Sequence, residues 1–373
     1  MKNSEHVPAL DGLRGIAILL VIPHNANIYT DHPGIFWPLA LAANAGWIGV
    51  QLFFVLSGFL ITGGLLDTVS SPHYLRNFYV RRTLRIFPLY YLALLVGLLL
   101  LPMLLHSPPR TELQLRGAAA LALFLNNWVQ PFGMVVPGYS HFWSLAVEEQ
   151  YYLVWPFVVL FCGARRLMHI CVSLVAIALL SRVLLLVAGA PELTTYVYTV
   201  CRMDALAIGA ITAVLVRNTE LMGKLRNKDR ALWAAAAILL ATGALLSRNY
   251  AKYSMVTVSV GYPLLAVAFA LLVLIAVLGR DRSAGNAITR ALAHPVLCAA
   301  GRYSYGMYVL HLPIALAIEA PFQPWVNRLG TFAAPCYALI VVGLTFAAGW
   351  ASYTLLERRF LSLKDRLAPL GPT

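Results

Sequence analysis

The stretch from Arg14 to Ile28, RGIAILLVIPHNANI, decides the fold of this chain. Gly15 to Ile28 is an apolar run that nevertheless carries His24 and Asn25, and Arg14 stands at its mouth. In a helix rising ~1.5 Å per residue, His24 lies roughly 15 Å from Arg14, near the middle of a hydrocarbon core about 30 Å thick. An ionisable side chain at that depth is costly and therefore marks function by default. The alternative is a histidine that only bonds a neighbouring helix of a bundle.

The surrounding sequence has the same character. The 373 residues are 60% hydrophobic and only 12% charged, with a mean hydropathy of +0.74. Helices this apolar on every face belong in a bilayer, so the expected fold is all-α, a polytopic transmembrane helical bundle. Ten runs read as spans: Gly15–Ile28, Trp47–Leu66, Pro88–Leu105, Leu145–Phe161, Ile170–Ala188, Ala205–Val216, Ala231–Leu246, Val256–Leu278, Ser304–Ala320 and Phe332–Leu356. Alternating them from a cytoplasmic N-terminus puts 21 Lys and Arg inside and 6 outside, with Arg182 within a span, which is the positive-inside bias. The formal charge of +13 is thus read as topology. It does not point to nucleic acid, because the basic residues are scattered through short loops.

Gly117–Trp128 is apolar but twelve residues long, short of the roughly 17 to 25 needed to cross. It is expected to be re-entrant or interfacial, with Asn126, Asn127 and Pro131 facing a cavity. No cleavable signal peptide, repeat or appended domain is evident. The expectation is one membrane-embedded domain over 1–373, with a core of about 8–360, both termini cytoplasmic and 361–373 a short tail. The five cysteines lack metal-ligand spacing, and no metal is expected.

Six further blocks carry polar chemistry. Leu10–Ala17 (LDGLRGIA) puts Asp11 and Arg14 at a helix start, where anions are favoured or where an ordinary cap would sit. Gln51–Thr62 (QLFFVLSGFLIT) sets Ser57 and Gly58 among large residues, suiting close helix approach or a local opening near substrate. In Arg81–Tyr91 (RRTLRIFPLYY), Arg81 and Arg85 share a helix face, as do Arg82 and Arg85. Such arginines can converge on a polyphosphate or simply mark topology. His141–Leu153 (HFWSLAVEEQYYL) holds His141, Trp143, Ser144, Glu148 and Glu149, whose adjacent carboxylates point about 100° apart on a helix. Arg202 and Asp204 in RMDALAIGA form an expected ion pair, and Ser304–Pro313 (SYGMYVLHLP) brings Tyr305 and a second intramembrane histidine, His311.

These blocks, with the closing Glu357–Phe360 (ERRF), resemble in kind and order the integral-membrane acyltransferase-3 family, which includes bacterial O-acetyltransferases of surface polysaccharides and macrolide acyltransferases. The resemblance covers essentially the whole chain and implies the stand-alone form, without the added esterase-like domain of many members. It implies a bacterial inner-membrane enzyme that takes an acyl group, in the first instance acetyl, from cytoplasmic acyl-coenzyme A. The acceptor is a hydroxyl, on a surface polysaccharide, its lipid-linked precursor, a glycolipid or a small secreted metabolite. By the same resemblance His24 is the catalytic base, Glu148 or Glu149 orients or charge-balances it, and Arg14, Arg81, Arg82 and Arg85 hold the donor's phosphates. Asn25, Ser57, His141, Trp143, Ser144, Arg202, Asp204, Tyr305 and His311 support the substrate or the site.

One departure stands out. The family separates its arginine and histidine by ten residues, whereas Gly15 to Pro23 supplies nine, so Asn25 occupies the usual slot. Eleven steps of ~100° return to the same helix face within about 20°, but ten leave His24 roughly 80° away. Either asparagine has taken the position, or Pro23 induces a short 3₁₀ stretch that restores His24; the second is the expectation. Two other functions fit intramembrane His, Glu and Arg: a secondary transporter, and a catalytically inactive binder of lipid-linked sugars.

Overall fold

Backbone polar groups have no water to bond in lipid, so an apolar chain of this kind must satisfy them within helices or a closed barrel. The computed structural model describes residues 7–26, 34–106, 110–279 and 287–369, and its regular elements are helical. The long helices are α1 (Pro8–Asn25), α2 (Ile48–Thr68), α3 (Tyr74–Leu95), α4 (Trp143–Phe161) and α5 (Ala164–Val187). They continue with α6 (Thr199–Leu215), α7 (Asp229–Leu246), α8 (Tyr262–Leu278), α9 (Pro295–Leu329) and α10 (Ala333–Ser352).

Each of the ten apolar runs overlaps one of these helices, but fewer meet the demands of a crossing. Among the described residues, 7 helical runs are long and apolar enough to span a membrane. The last is a 73-residue run from Pro295 to Leu367 that turns back at Gly330, whose φ is +54, so that α10 packs along α9. Helices α1 and α4 lie outside the set of seven. Asp11, Arg14 and His24 interrupt the first, and Glu148, Glu149 and Gln150 the second. The chain is thus a multi-pass membrane protein.

Small residues set the two main crossings. A Cβ on Gly58 of α2 would lie 2.0 Å from the Leu206 carbonyl of α6, and one on Gly209 of α6 would lie 2.1 Å from that of Val55. Gly15 of α1 and Gly301 of α9 meet the backbones of Leu297 and Asp11 in the same way. Such close approach is how helices associate where lipid removes the hydrophobic drive between them. It settles Gly58 as a packing residue.

The short apolar segment does not form one straight helix. Glu112–Ala122 starts from a capping box at Thr111 and Gln114, breaks at Phe124 with φ +55, and resumes as the turn Asn126–Val129. At ~1.5 Å per residue the first piece reaches only about 16 Å. Asn127 does not face a cavity: its amide donates to the Val197 carbonyl and to Thr199 Oγ1, and its carbonyl accepts from Gln150.

A candidate two-chambered acyl-transfer site

Four helices contribute stripes to a cavity of about 340 Å³. Ser144, Glu148 and Tyr152 recur every four residues on α4, and Ser304, Tyr305 and Tyr308 form the facing stripe on α9. Phe53, Ser57 and Leu60 follow the helical repeat on α2, and Arg82 and Arg85 stand on α3. Arg14 joins them from α1. The Glu148 carboxylate accepts from Ser57 Oγ at 2.8 Å and from Tyr152 OH at 3.0 Å. Arg14 donates to Ser304 Oγ at 3.3 Å, while its Nε is buried without a partner. The Arg82 guanidinium lies 5.6 Å from the centre of the Tyr152 ring. Three guanidiniums against one carboxylate leave this chamber cationic, and planar donor forks suit phosphate oxygens.

A second cavity, of about 200 Å³, is lined by Val21, His24 and Asn25 of α1 together with Trp47, Gln130, Ser140, His141, Trp143, Tyr196, Lys252 and Tyr253. Val50 and Tyr308 line both chambers. The Tyr308 hydroxyl bonds Ser144 Oγ at 2.6 Å and the His141 carbonyl at 2.8 Å, forming part of the wall between them. His24 Nδ1 lies 2.9 Å from the Ala43 carbonyl. A carbonyl can only accept, so in the neutral imidazole Nδ1 carries the proton and Nε2 keeps its lone pair. Burial pushes the Lys252 ammonium down to about 7, and the nearby Arg202 adds to the effect.

Pro23 leaves the helix intact. Helix α1 stays α-helical through Asn25, and the Ala26 amide still donates to the Ile22 carbonyl at 2.9 Å. The expected 3₁₀ correction is therefore absent, because the proline's lost bond is tolerated near the helix end. Both residues line the second cavity nonetheless. Asn25 donates to His311 Nε2 at 3.0 Å, and His311 Nδ1 bonds the Tyr308 carbonyl at 2.7 Å, so His311 is a satisfied support for Asn25.

Several expected partnerships are rearranged. Among the described residues no carboxylate pairs with His24: Glu148 serves Ser57 and Tyr152 in the other chamber, and Glu149, turned about 100° away, lines neither cavity. Arg81 does not converge with Arg82 and Arg85. It donates to the Ala368 carbonyl at 2.8 Å and pairs with Asp365 at 3.4 Å, holding the C-terminal segment. Asp204 pairs with Arg182 of α5 at 2.8 Å and not with Arg202, since residues two apart on a helix face in nearly opposite directions. Arg202 donates to Gln51 at 2.5 Å, and its guanidinium lies within 5.7 Å of the centres of four rings, those of Phe54, Trp143, Tyr196 and Tyr262.

Sequence reasoning missed Tyr152, Tyr308 and Lys252. The two tyrosines were signalled by helical spacing, four residues after Glu148 and three before His311. Lys252 lies in a loop that no pattern marks.

The acyltransferase domain model of the acyltransferase-3 family matches residues 7–354. This chain belongs to that family. It is 28% identical over 377 residues to the peptidoglycan O-acetyltransferase OatA of Listeria monocytogenes, covering 95% of this chain and 56% of that protein. It is 30% identical over 349 residues to the putative peptidoglycan O-acetyltransferase YrhL of Bacillus subtilis, covering 86% and 50%. The O-acetyltransferase OatA of Staphylococcus aureus is 29% identical over 228 residues, covering 58% and 36%. The chain spans about half the length of the first two. No solved structure matches it.

Proposed function

We propose that this acyltransferase-3 chain moves an acetyl group from acetyl-coenzyme A to a hydroxyl of a sugar polymer or of its lipid-linked precursor. One observation carries this reading: a cationic chamber and a histidine-bearing chamber adjoin at Val50 and Tyr308. The relatives are named as O-acetyltransferases, two of them of peptidoglycan, which supports acetyl as the group and a polymer sugar as the acceptor. The bias of 21 basic residues to one side supports an inner chamber open to the cytoplasm, with both termini there.

Arg14, Arg82 and Arg85 hold the donor's phosphates, and the thioester carbonyl reaches the wall at Tyr308. His24 Nε2 takes the acceptor proton as the hydroxyl oxygen attacks the carbonyl carbon. The new C–O bond forms, the C–S bond breaks, and the proton passes on to the thiolate. Asn25 is a positioning residue, fixed by His311 next to the base. Glu148 lies in the donor chamber and balances its arginines.

Membranes containing the protein, given acetyl-coenzyme A and a sugar acceptor, should release free thiol in step with acetylated sugar. Solute uptake without thiol release would replace this reading with a transporter. Binding with neither would make the chain an inactive binder.

A further inference from the structure

The outer chamber holds two groups that proton transfer leaves unused. The His141 ring is 3% exposed, and neither of its nitrogens has a hydrogen-bond partner. Its neighbour His311 lies 4.4 Å away, ring centre to ring centre, with both nitrogens already engaged. A buried donor and acceptor left empty are costly, so the geometry calls for a ligand with hydroxyls at that wall. The second group is Lys252. Its ammonium lies 3.7 Å from the centre of the Tyr196 ring and 5.3 Å from that of Tyr253. Among the described residues no Asp or Glu lines this chamber, and no carboxylate pairs with Lys252.

A partly buried cation held only by ring faces is incompletely compensated, and an anion from outside completes it. Arg202, fully buried and bonded to Gln51, adds to the positive potential but does not line the chamber. The remaining wall, Trp47, Trp143 and Tyr253 beside Gln130 and Ser140, alternates flat apolar faces with hydrogen-bonding groups, as a sugar ring requires. About 200 Å³ is less than the roughly 300–1,000 Å³ of common ligand clefts, which suits one sugar unit and not a length of polymer.

We infer that the outer chamber selects an acidic sugar, with Lys252 taking an anionic substituent, carboxylate or phosphate, near the hydroxyl to be acylated. The inference rests on the acyl-transfer reading for the chamber's role, but its charge preference can be measured without turnover. Trp47 and Trp143 report occupancy by fluorescence. The full chain in detergent should be titrated with glucose, glucuronate and glucose 6-phosphate, which share a ring and differ in charge. At least one anionic sugar should bind 10-fold or more tightly than glucose, and the arm that does so identifies the anion. Lys252→Met should erase that preference, and Lys252→Arg should keep it, which also shows that the loop still folds. Equal binding of all three sugars, no binding of any, or a preference surviving in Lys252→Met would overturn the inference. An intact preference without thiol release would overturn the proposed reaction alone, whereas acetyl transfer to neutral sugars unaffected by Lys252→Met would overturn only the acidic acceptor.

Discussion

Arg182 and Arg14 both lie inside the bundle, and the protein treats them in opposite ways. Arg182 is fully buried, pairs with Asp204 at 2.8 Å, donates to the carbonyls of Val258 and Cys201, and lies 5.2 Å from the centre of the Tyr262 ring. Arg14 has one hydroxyl partner at 3.3 Å and an empty Nε, and it opens onto a cavity beside Arg82 and Arg85. Each keeps one buried nitrogen without a partner, Arg182 Nη2 and Arg14 Nε, so the comparison teaches that an intramembrane charge marks a site where it opens onto a cavity. Arg182 lines neither chamber and meets only protein, whereas Arg14 faces a cavity with room for a ligand.

The sharpest way to break this comparison is to strip Arg182 of its partner. Asp204→Asn should cost about 3 to 5 kcal/mol, as for other buried pairs that lose one member. It should be seen as a fall in thermal midpoint and as labelling of the buried Cys201 by a maleimide. A variant as stable as the native chain would mean that the pair is not structural.

His24→Ala should leave folding intact and lower turnover by about 10²- to 10⁴-fold, the usual worth of a positioned base. Asn25→Ala should do less, because it removes only a neighbour of the base. The ratio of the two turnover numbers decides which residue of this offset pair does the chemistry.

On the ligand side of the comparison, Arg82→Gln should raise the apparent KM for acetyl-coenzyme A by about 10- to 100-fold, the loss of one charge-assisted bond of about 1.5 to 3 kcal/mol. Arg81→Gln should change that KM little, since its guanidinium is committed to Ala368 and Asp365. Equal effects would dissolve the distinction between the two arginines. The smallest change belongs to Glu220→Gln, which removes an exposed pair with Lys224. Stability there should move by no more than about 0.5 kcal/mol, and a larger shift in thermal midpoint would show that exposed pairs matter in this chain.

Much of this arrangement is legible in the linear chain. Apolar runs such as Val256–Leu278 become helices because lipid leaves the backbone no other partner. The spacing of Ser144, Glu148 and Tyr152 makes them one stripe before any fold is known. The pairing of Asp204 is not legible, because two helix faces compete for it and the winner, Arg182, comes from another helix. Nor is the separation of Glu148 from His24, which depends on which side of Tyr308 each stripe meets.

The sequence by itself determined a helical membrane chain, its family, and the residues that stand on common helix faces, because local periodicity and the cost of unpaired polar groups act on neighbours along the chain. Only the tertiary structure decided that the arginines and His24 occupy two chambers, that Arg81 and Asp204 are spent on structure, and that Lys252 enters the outer chamber. Those outcomes depend on which helices cross at Gly58, Gly209, Gly15 and Gly301. Helix crossings are set by close packing between segments far apart in sequence, which no local pattern encodes.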